Sequence, residues 1–341
     1  MLLGGEITFS PGQIAQEAQL LEAEGYDGAW AAEIGHDPLL ILTAAASATI
    51  DLQLGTGIVV AFGRSPMTTA TMANDVHQLS KGRLLLGLGS QINPHIEKRY
   101  SMPWSHPSPR MREYILAMRA IWSSWNEGTK LFFRGEYYRH TLMTPFFNPG
   151  ANPYGPPKVF LAAVGELMTE VAGEVADGHL VQPFTTARYL REVTIPALDR
   201  GLARAGRNRD SFQISYSGPV ATGATGVERR AAELGVKSQI AFYGSTPSYR
   251  SVLELHGWGE LQTQLNSLSR NGDWHAMTSL ISDEVLETFS IVAPVDEVAT
   301  MVHRRVGDVI DRFDIYAPYP LEREHRTQIL GDFVKTGGTA P

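Results

Sequence analysis

Short apolar runs that open onto glycine and other small residues alternate with amphipathic stretches along almost the whole chain. This rhythm limits the fold more tightly than any single motif does. The runs fall at residues 2–8, 26–32, 52–60, 83–88 and 159–163, then at one ending near 182, and at 212–221 and 310–317. Between them, residues 37–50, 65–80, 108–125, 166–176, 186–205 and 295–305 carry apolar side chains at helical spacing. Strands separated by helices pair in parallel. Eight such units in 341 residues predict a closed α/β barrel, a (β/α)8 TIM barrel with insertions, over an open doubly wound sheet. The first helix is expected to open with a capping box, Ser10 before Pro11 with Gln13 three residues on, and to stop at Gly25.

A hydrophobic content of 43% over this length supports one sizeable core, so a single domain is expected over residues 1–341. Two stretches interrupt the alternation. Residues 144–158 hold Pro145, Pro149, Pro153, Pro156 and Pro157, which predicts a stiff return loop after a hairpin at 131–139. Residues 240–288 set Phe242, Tyr243, Tyr249, Trp258 and Trp274 among turn residues, and are expected to form an insertion that covers the barrel mouth as a lid.

Composition removes several function classes. Lys and Arg total 29 against 36 Asp and Glu, a formal charge of −7, so no global field draws nucleic acid or an anionic membrane surface. There is no cysteine, which rules out disulfides, thiolate nucleophiles and Cys-held metals and fits a reducing compartment. The opening MLLGGEITFSPGQ has no basic signal-peptide region, and the weakly polar run 38–50 is too short to span a bilayer, so a cytoplasmic protein is expected. The ten histidines show no HxH or HExxH spacing, and there is no GxSxG elbow. No metal site is expected. The difficult chemistry then falls to an organic cofactor acting on a small-molecule substrate.

Barrel enzymes keep their chemistry at the carboxyl ends of the strands. After the second run the chain reads Trp30-Ala31-Ala32-Glu33-Ile34-Gly35-His36-Asp37, which offers Glu33 and His36 as catalytic groups, while Asp37 before Pro38 also reads as a plain helix cap. The third run, LGTGIVVAFGR, breaks open into Phe62, Gly63 and Arg64 just before a helix. The fourth ends in Gly87-Leu88-Gly89-Ser90-Gln91, only a fragment of a phosphate loop, and a tight turn is its simplest reading. Ala162, Ala163, Val164 and Gly165 precede a helix whose free N–H groups could face an anion, although Glu166 already complements that helix dipole.

The segments GYDGAWAAE, LGTGIVVAFGRSP, SKGRLLLGLGS, VFLAAVGELMTEVAGEVADGHL and FYGSTPSYRSVLELHGW resemble the bacterial luciferase-like superfamily. Within it they look most like oxidoreductases that use the deazaflavin coenzyme F420. The resemblance implies a barrel with the cofactor ring laid across the strand ends and a non-prolyl cis peptide behind it at Gly57-Ile58. Gly89, Ser90 and Gln91 would line one ring edge, and Ala162, Ala163, Val164, Gly165 and Met168 would hold the ribityl phosphate. Glu33 would position or relay a proton with His36 as its partner, Trp30 and Phe62 would wall the pocket, and some of Arg64, Lys98, Arg99 and Arg110 would meet the anionic tail. The chain departs from the dehydrogenase branch by placing Ile34 where relatives carry a histidine after the acid, and Gln91 or Ile92 where they carry a glutamate. His95 is a more distant substitute. The function implied is hydride transfer between F420 and a small organic substrate in a homodimer. An FMN-dependent monooxygenase and a barrel that binds the cofactor without turnover are the alternatives.

Overall fold

Eight parallel strands close into a ring in the computed structural model, which describes residues 1–337. They are β1 (Leu2–Glu6), β2 (Gly28–Ala31), β3 (Gln53–Thr56), β4 (Leu84–Gly89), β5 (Lys158–Ala163), β6 (Gly178–Val181), β7 (Gln213–Ala221) and β8 (Arg312–Tyr316). Each pairs with the next, and Leu2 of β1 faces Arg312 of β8 to complete the ring. The predicted (β/α)8 barrel is the fold. The predicted span of one domain includes residues 338–341, which lie outside the described residues.

Helices α1 (Ile14–Glu24), α2 (Pro38–Ala48), α3 (Pro66–Leu79), α4 (Asn93–Lys98), α5 (Pro107–Glu127) and α6 (Glu166–Val175) surround the ring. So do α7 (Ile195–Arg204), α8 (Gly226–Gly244), α9 (Gly259–Arg270), α10 (Val298–Val306) and α11 (Arg323–Gly337). The main core lies between ring and helices, where Leu54, Leu86, Leu161, Ile214 and Phe313 meet Leu42, Ala73, Met118 and Val302.

The base of the ring is tied by side chains on the strand feet. Asp27, Asp177 and Asp311 precede β2, β6 and β8, and each accepts a hydrogen bond from the neighbouring odd-numbered strand: from Leu3 at 2.7 Å, Val159 at 2.8 Å and Ile214 at 2.7 Å. Arg83, ahead of β4, donates to Ala46, Thr49 and Leu52 and so fastens the end of α2 to the foot of β3.

Four local expectations change. Ser10 does not cap α1, because Pro11 and Gly12 form a turn with Gly12 at φ 80° and the helix starts at Ile14 after an uncapped Gln13. The third run is two pieces, β3 and a short continuation Val59–Val60, and the Gly57–Ile58 peptide between them is cis, as the resemblance implies. Leu54 pairs with Leu84 and Val59 with Leu88, so this strand carries one residue more than β4 across the break. The segment 186–205 contains a wider π turn at Leu190–Thr194 just before Pro196, whose missing N–H cannot continue the ladder. Finally, the insertion at 240–288 begins inside the long helix α8.

From α8 the insertion continues through Arg250–Glu254, α9, Trp274–Ser279 and Asp283–Phe289. It buries its own apolar cluster, Val252, Leu253, Leu265, Met277 and Leu286, over Phe184 and Ala221 beside the ends of β6 and β7. No described helix is long and apolar enough to cross a membrane.

Candidate functional site at the barrel mouth

Side chains alternate inward and outward along a strand, so the inward rows show whether the barrel is filled. Low in the ring it is. Arg312 is 1% exposed and donates to Gln53 and Gln213, and higher up the Trp30 ring meets Phe160 edge-on across the interior, centroids 6.3 Å apart. Glycine makes room for Trp30: a β-carbon on Gly55 would collide with its ring, and one on Gly4 with its Nε1 and with Asp314 Oδ1. Above this level the inward positions are less tightly covered. Trp30, Ala162, Leu180, Ser217, Asp314 and Tyr316 are only half-buried, while Ala29, Ala31, Leu161, Val181 and Phe313, facing outward, are sealed. The upper barrel is therefore an open well.

Glu33 stands at the rim, with its carboxylate fully engaged. Oε2 accepts from the Val60 amide at 2.9 Å and from Arg64, and Oε1 accepts from the Tyr100 hydroxyl at 2.7 Å. Its own amide donates to Ile58. Glu33 thus stitches the β2 loop to the chain just beyond the β3 break. Arg64 continues to Asp37 at 2.7 Å, and Asp37 also caps α2 by accepting from Leu39. Burial, reinforced by the Glu33 carboxylate, pushes the Tyr100 hydroxyl up to about 12, so it remains a donor through the neutral range. His36 is elsewhere: exposed, making no hydrogen bond to Glu33, and stacked on Phe9 at 3.9 Å.

The structure brings the glycine-rich strand ends together around the well. Gly57 is exposed at the break, Ile58 is half-buried, and Ile58 packs so closely on Gly89 that a β-carbon there would meet it at 2.9 Å. Ser90 and Gln91 follow in a turn, with Gln91 at φ 59° and its carbonyl accepting from the Ser90 hydroxyl. On the other side of β4, Ala162, Ala163 and Val164 lead to Gly165, an N-cap without a side-chain cap, and Met168 lies half-buried in the first turn of α6. Glu166 turns from this helix end to Arg200 at 2.7 Å.

Other expected residues serve the framework. Phe62 is fully buried beneath Trp104 and the Arg110 guanidinium, which itself is spent on Tyr138 and Pro103, so neither lines the well. Arg99 donates to the Ile34 carbonyl, while Lys98 and His95 are exposed on α4. A groove of about 380 Å³ lined by Thr186, Arg188, His256, Glu284 and Arg305 lies on the flank of the insertion and contains none of the strand-end residues. Among the described residues no group of acids and histidines is arranged to hold a metal.

Two acids escaped the reading of the sequence. Glu6 ends β1 exposed at the mouth with no hydrogen bond or ion pair, and Asp314 lies at the base of the well. Burial lifts the Asp314 carboxyl to about 7, with Arg312 pulling partly the other way. Strand alternation alone would have pointed both inward, but neither sits in a motif.

The model of the luciferase-like monooxygenase family matches residues 2–312. The chain belongs to that family. An uncharacterized protein of Mycobacterium tuberculosis (strain H37Rv) is 55% identical over 310 residues, 91% of each chain. The 5,10-methylenetetrahydromethanopterin reductase of Archaeoglobus fulgidus is 27% identical over 321 residues, 92% of each. Among solved structures, the coenzyme F420 dependent tetrahydromethanopterin reductase from Methanopyrus kandleri superposes with a TM-score of 0.80 at 21% identity, covering 98% of this chain and 99% of that one.

Proposed function

We propose that this family member is a coenzyme F420-dependent oxidoreductase that moves a hydride to or from a small organic substrate at the barrel mouth. The observation that carries the reading is the well. A barrel of this kind usually fills its interior with layered side chains, whereas here Ala32, Ala162 and Ser217 at the upper strand ends are only half-buried and Gly57 is exposed, beside half-buried Trp30, Leu180 and Tyr316. Relatives whose names include F420-dependent reductases support the choice of cofactor.

The residues present fit such a group. Gly57 and Ile58 would back the ring, Gly89, Ser90 and Gln91 would border it, and the amides from Ala163 to Gly165 with the uncapped start of α6 would take a phosphate. When bound, the reduced deazaflavin supplies the hydride. The chain's part is to hold that ring in place and keep water from the reacting edge. Glu33 and Arg64 do this indirectly, by fixing the β3 break, and the insertion does it by walling the β6 and β7 side. The Tyr243 and Tyr316 hydroxyls meet at 3.5 Å where the insertion touches the ring of strands, and so mark its edge nearest the well.

Titrating the purified protein separately with F420 and FMN, following ligand fluorescence, tests this reading. Saturable binding of F420, and oxidation of its reduced form with at least one member of a panel of activated alkenes, ketones and quinones, is expected. Binding of FMN alone would replace the cofactor. Tight F420 binding without turnover across the panel would leave a binding protein.

A further inference from the structure

We propose that Ile34 and Ile92, with Phe9 beside them, form an apolar ledge at the barrel mouth that selects a substrate carrying an uncharged hydrocarbon portion. The inference deepens the oxidoreductase reading: it rests on that reading for the reaction and names the class of molecule that reaches it.

Three loops of the mouth repeat one feature. β1 ends at Glu6, β2 at Ala31 and β4 at Gly89, and the third residue beyond each end is Phe9, Ile34 and Ile92 in turn. All three are exposed, at 37%, 73% and 41%. Single apolar side chains on a surface are ordinary, but these stand together at the end of the barrel that opens into the well. Phe9 stacks on His36, two residues beyond Ile34, with ring centroids 3.9 Å apart. Arg99, which closes α4, donates to the Ile34 carbonyl at 2.6 Å, and Ile92 is the N-cap of that same helix. The three loops are thereby joined into one continuous ledge.

The charges around the ledge decide what it can hold. Glu33 and Asp37, on the loop that carries Ile34, are both paired with Arg64. Arg99 lies over the Tyr100 ring at 5.2 Å and is spent on the Ile34 carbonyl, while Glu97 and Lys98 sit at the far end of α4 from Ile92. The polar groups of the well lie lower, at the strand ends themselves, where Glu6 closes β1 and Tyr316 closes β8. A charged or strongly hydrated group gains nothing on such a surface, whereas a hydrocarbon sheds its water there and covers the isoleucines in the same step. The polar end of the molecule is left to face the well. Because the stack on His36 and the Arg99 bond hold the ledge in place beforehand, little ordering is lost when a ligand arrives.

The test is calorimetric titration of two homologous series, methyl ketones from butanone upward and the matching primary alcohols, in single methylene steps. Each is run on wild-type protein, Ile34→Asn, Ile92→Asn and Ile50→Asn, with and without saturating F420. All three substituted positions are exposed, so the variants are expected to keep the wild-type circular dichroism. Wild-type Kd is expected to fall about fourfold for each added methylene until the ledge is covered. Ile34→Asn and Ile92→Asn should each flatten that dependence to below about twofold. Ile50→Asn, at an isoleucine 79% exposed just before β3 and away from the mouth, should leave it unchanged. F420 binding with no chain-length dependence in either series, or with the same dependence in Ile34→Asn and Ile92→Asn as in wild type, overturns the ledge and leaves the cofactor reading intact. The expected dependence without F420 binding keeps the ledge and overturns the cofactor reading. Neither F420 binding nor chain-length dependence overturns both. A flat series in a wild type that sediments as a dimer, with Ile34→Asn a monomer, gives the ledge to a second copy of this chain and overturns the proposal as well.

Discussion

Two carboxylates mark the ends of the well, and they live in opposite circumstances. Glu33 at the rim accepts hydrogen bonds from Val60, Arg64 and Tyr100, whereas Asp314 at the base is enclosed beside Trp30 and Ser215 with no ion pair. An acid whose two oxygens are both claimed by its own chain is a fastener. An acid enclosed in a low-dielectric space without a cation bound to it has its charge suppressed. The residue that stands out in the sequence, beside a histidine in a loop at a strand end, is here the fastener.

The contrast can be broken by substitution. Glu33→Ala should produce the largest loss, about 4 kcal/mol, because it strands Arg64 and the Val60 amide together. Chemical denaturation measures it, and a loss below about 1 kcal/mol would show the rim network to be ornamental. Asp314→Asn should act in the opposite sense. The folded carboxyl, at about 7, holds its proton far above the 3.8 of the free side chain, so between those values the native state binds more protons than the unfolded chain and stability falls as pH rises. Wild type should therefore lose about 3 kcal/mol relative to Asp314→Asn between about pH 4 and about pH 7, seen as diverging denaturation midpoints. Parallel midpoints across that range would place the charge on Asp314 throughout.

Smaller effects sharpen the same comparison. Tyr100→Phe removes one of the Glu33 bonds and should cost about 1 kcal/mol. Because Tyr100 titrates only near 12, that cost should not vary between neutral and mildly alkaline buffer. His36→Ala removes an exposed ring stacked on Phe9 and should change stability by less than about 0.5 kcal/mol, with F420 affinity unaltered. A strong loss of affinity in that variant would return His36 to the site.

The fold was legible because barrel strands and helices each repeat a local period, and the glycines at 57, 87, 89 and 165 punctuate the strand ends that form the mouth. What escaped depends on partners distant in sequence. Ser10, Pro11 and Gln13 satisfy a capping pattern, but Gly12 takes a left-handed turn and the helix starts later. Residues 52–60 read as one strand because Leu54, Ile58, Val59 and Val60 are uniformly apolar, and it is the resemblance, not the local pattern, that marks the break at Gly57–Ile58. Glu33 reads as chemistry until Arg64 and Tyr100, 31 and 67 residues away, are seen to close on it. Asp314 is one acid in an ordinary strand, and only the glycines at 4 and 55, which let Trp30 lie across the interior, give it a special environment.

The aspartates at the feet of β2, β6 and β8 carry a consequence for the history of such a molecule. Each locks a pair of strands from beneath, like a hoop on a cask, independently of what the opposite end carries. Insertions as long as the one following β7 can then accumulate, and new ligands be tried, without the staves slipping against one another.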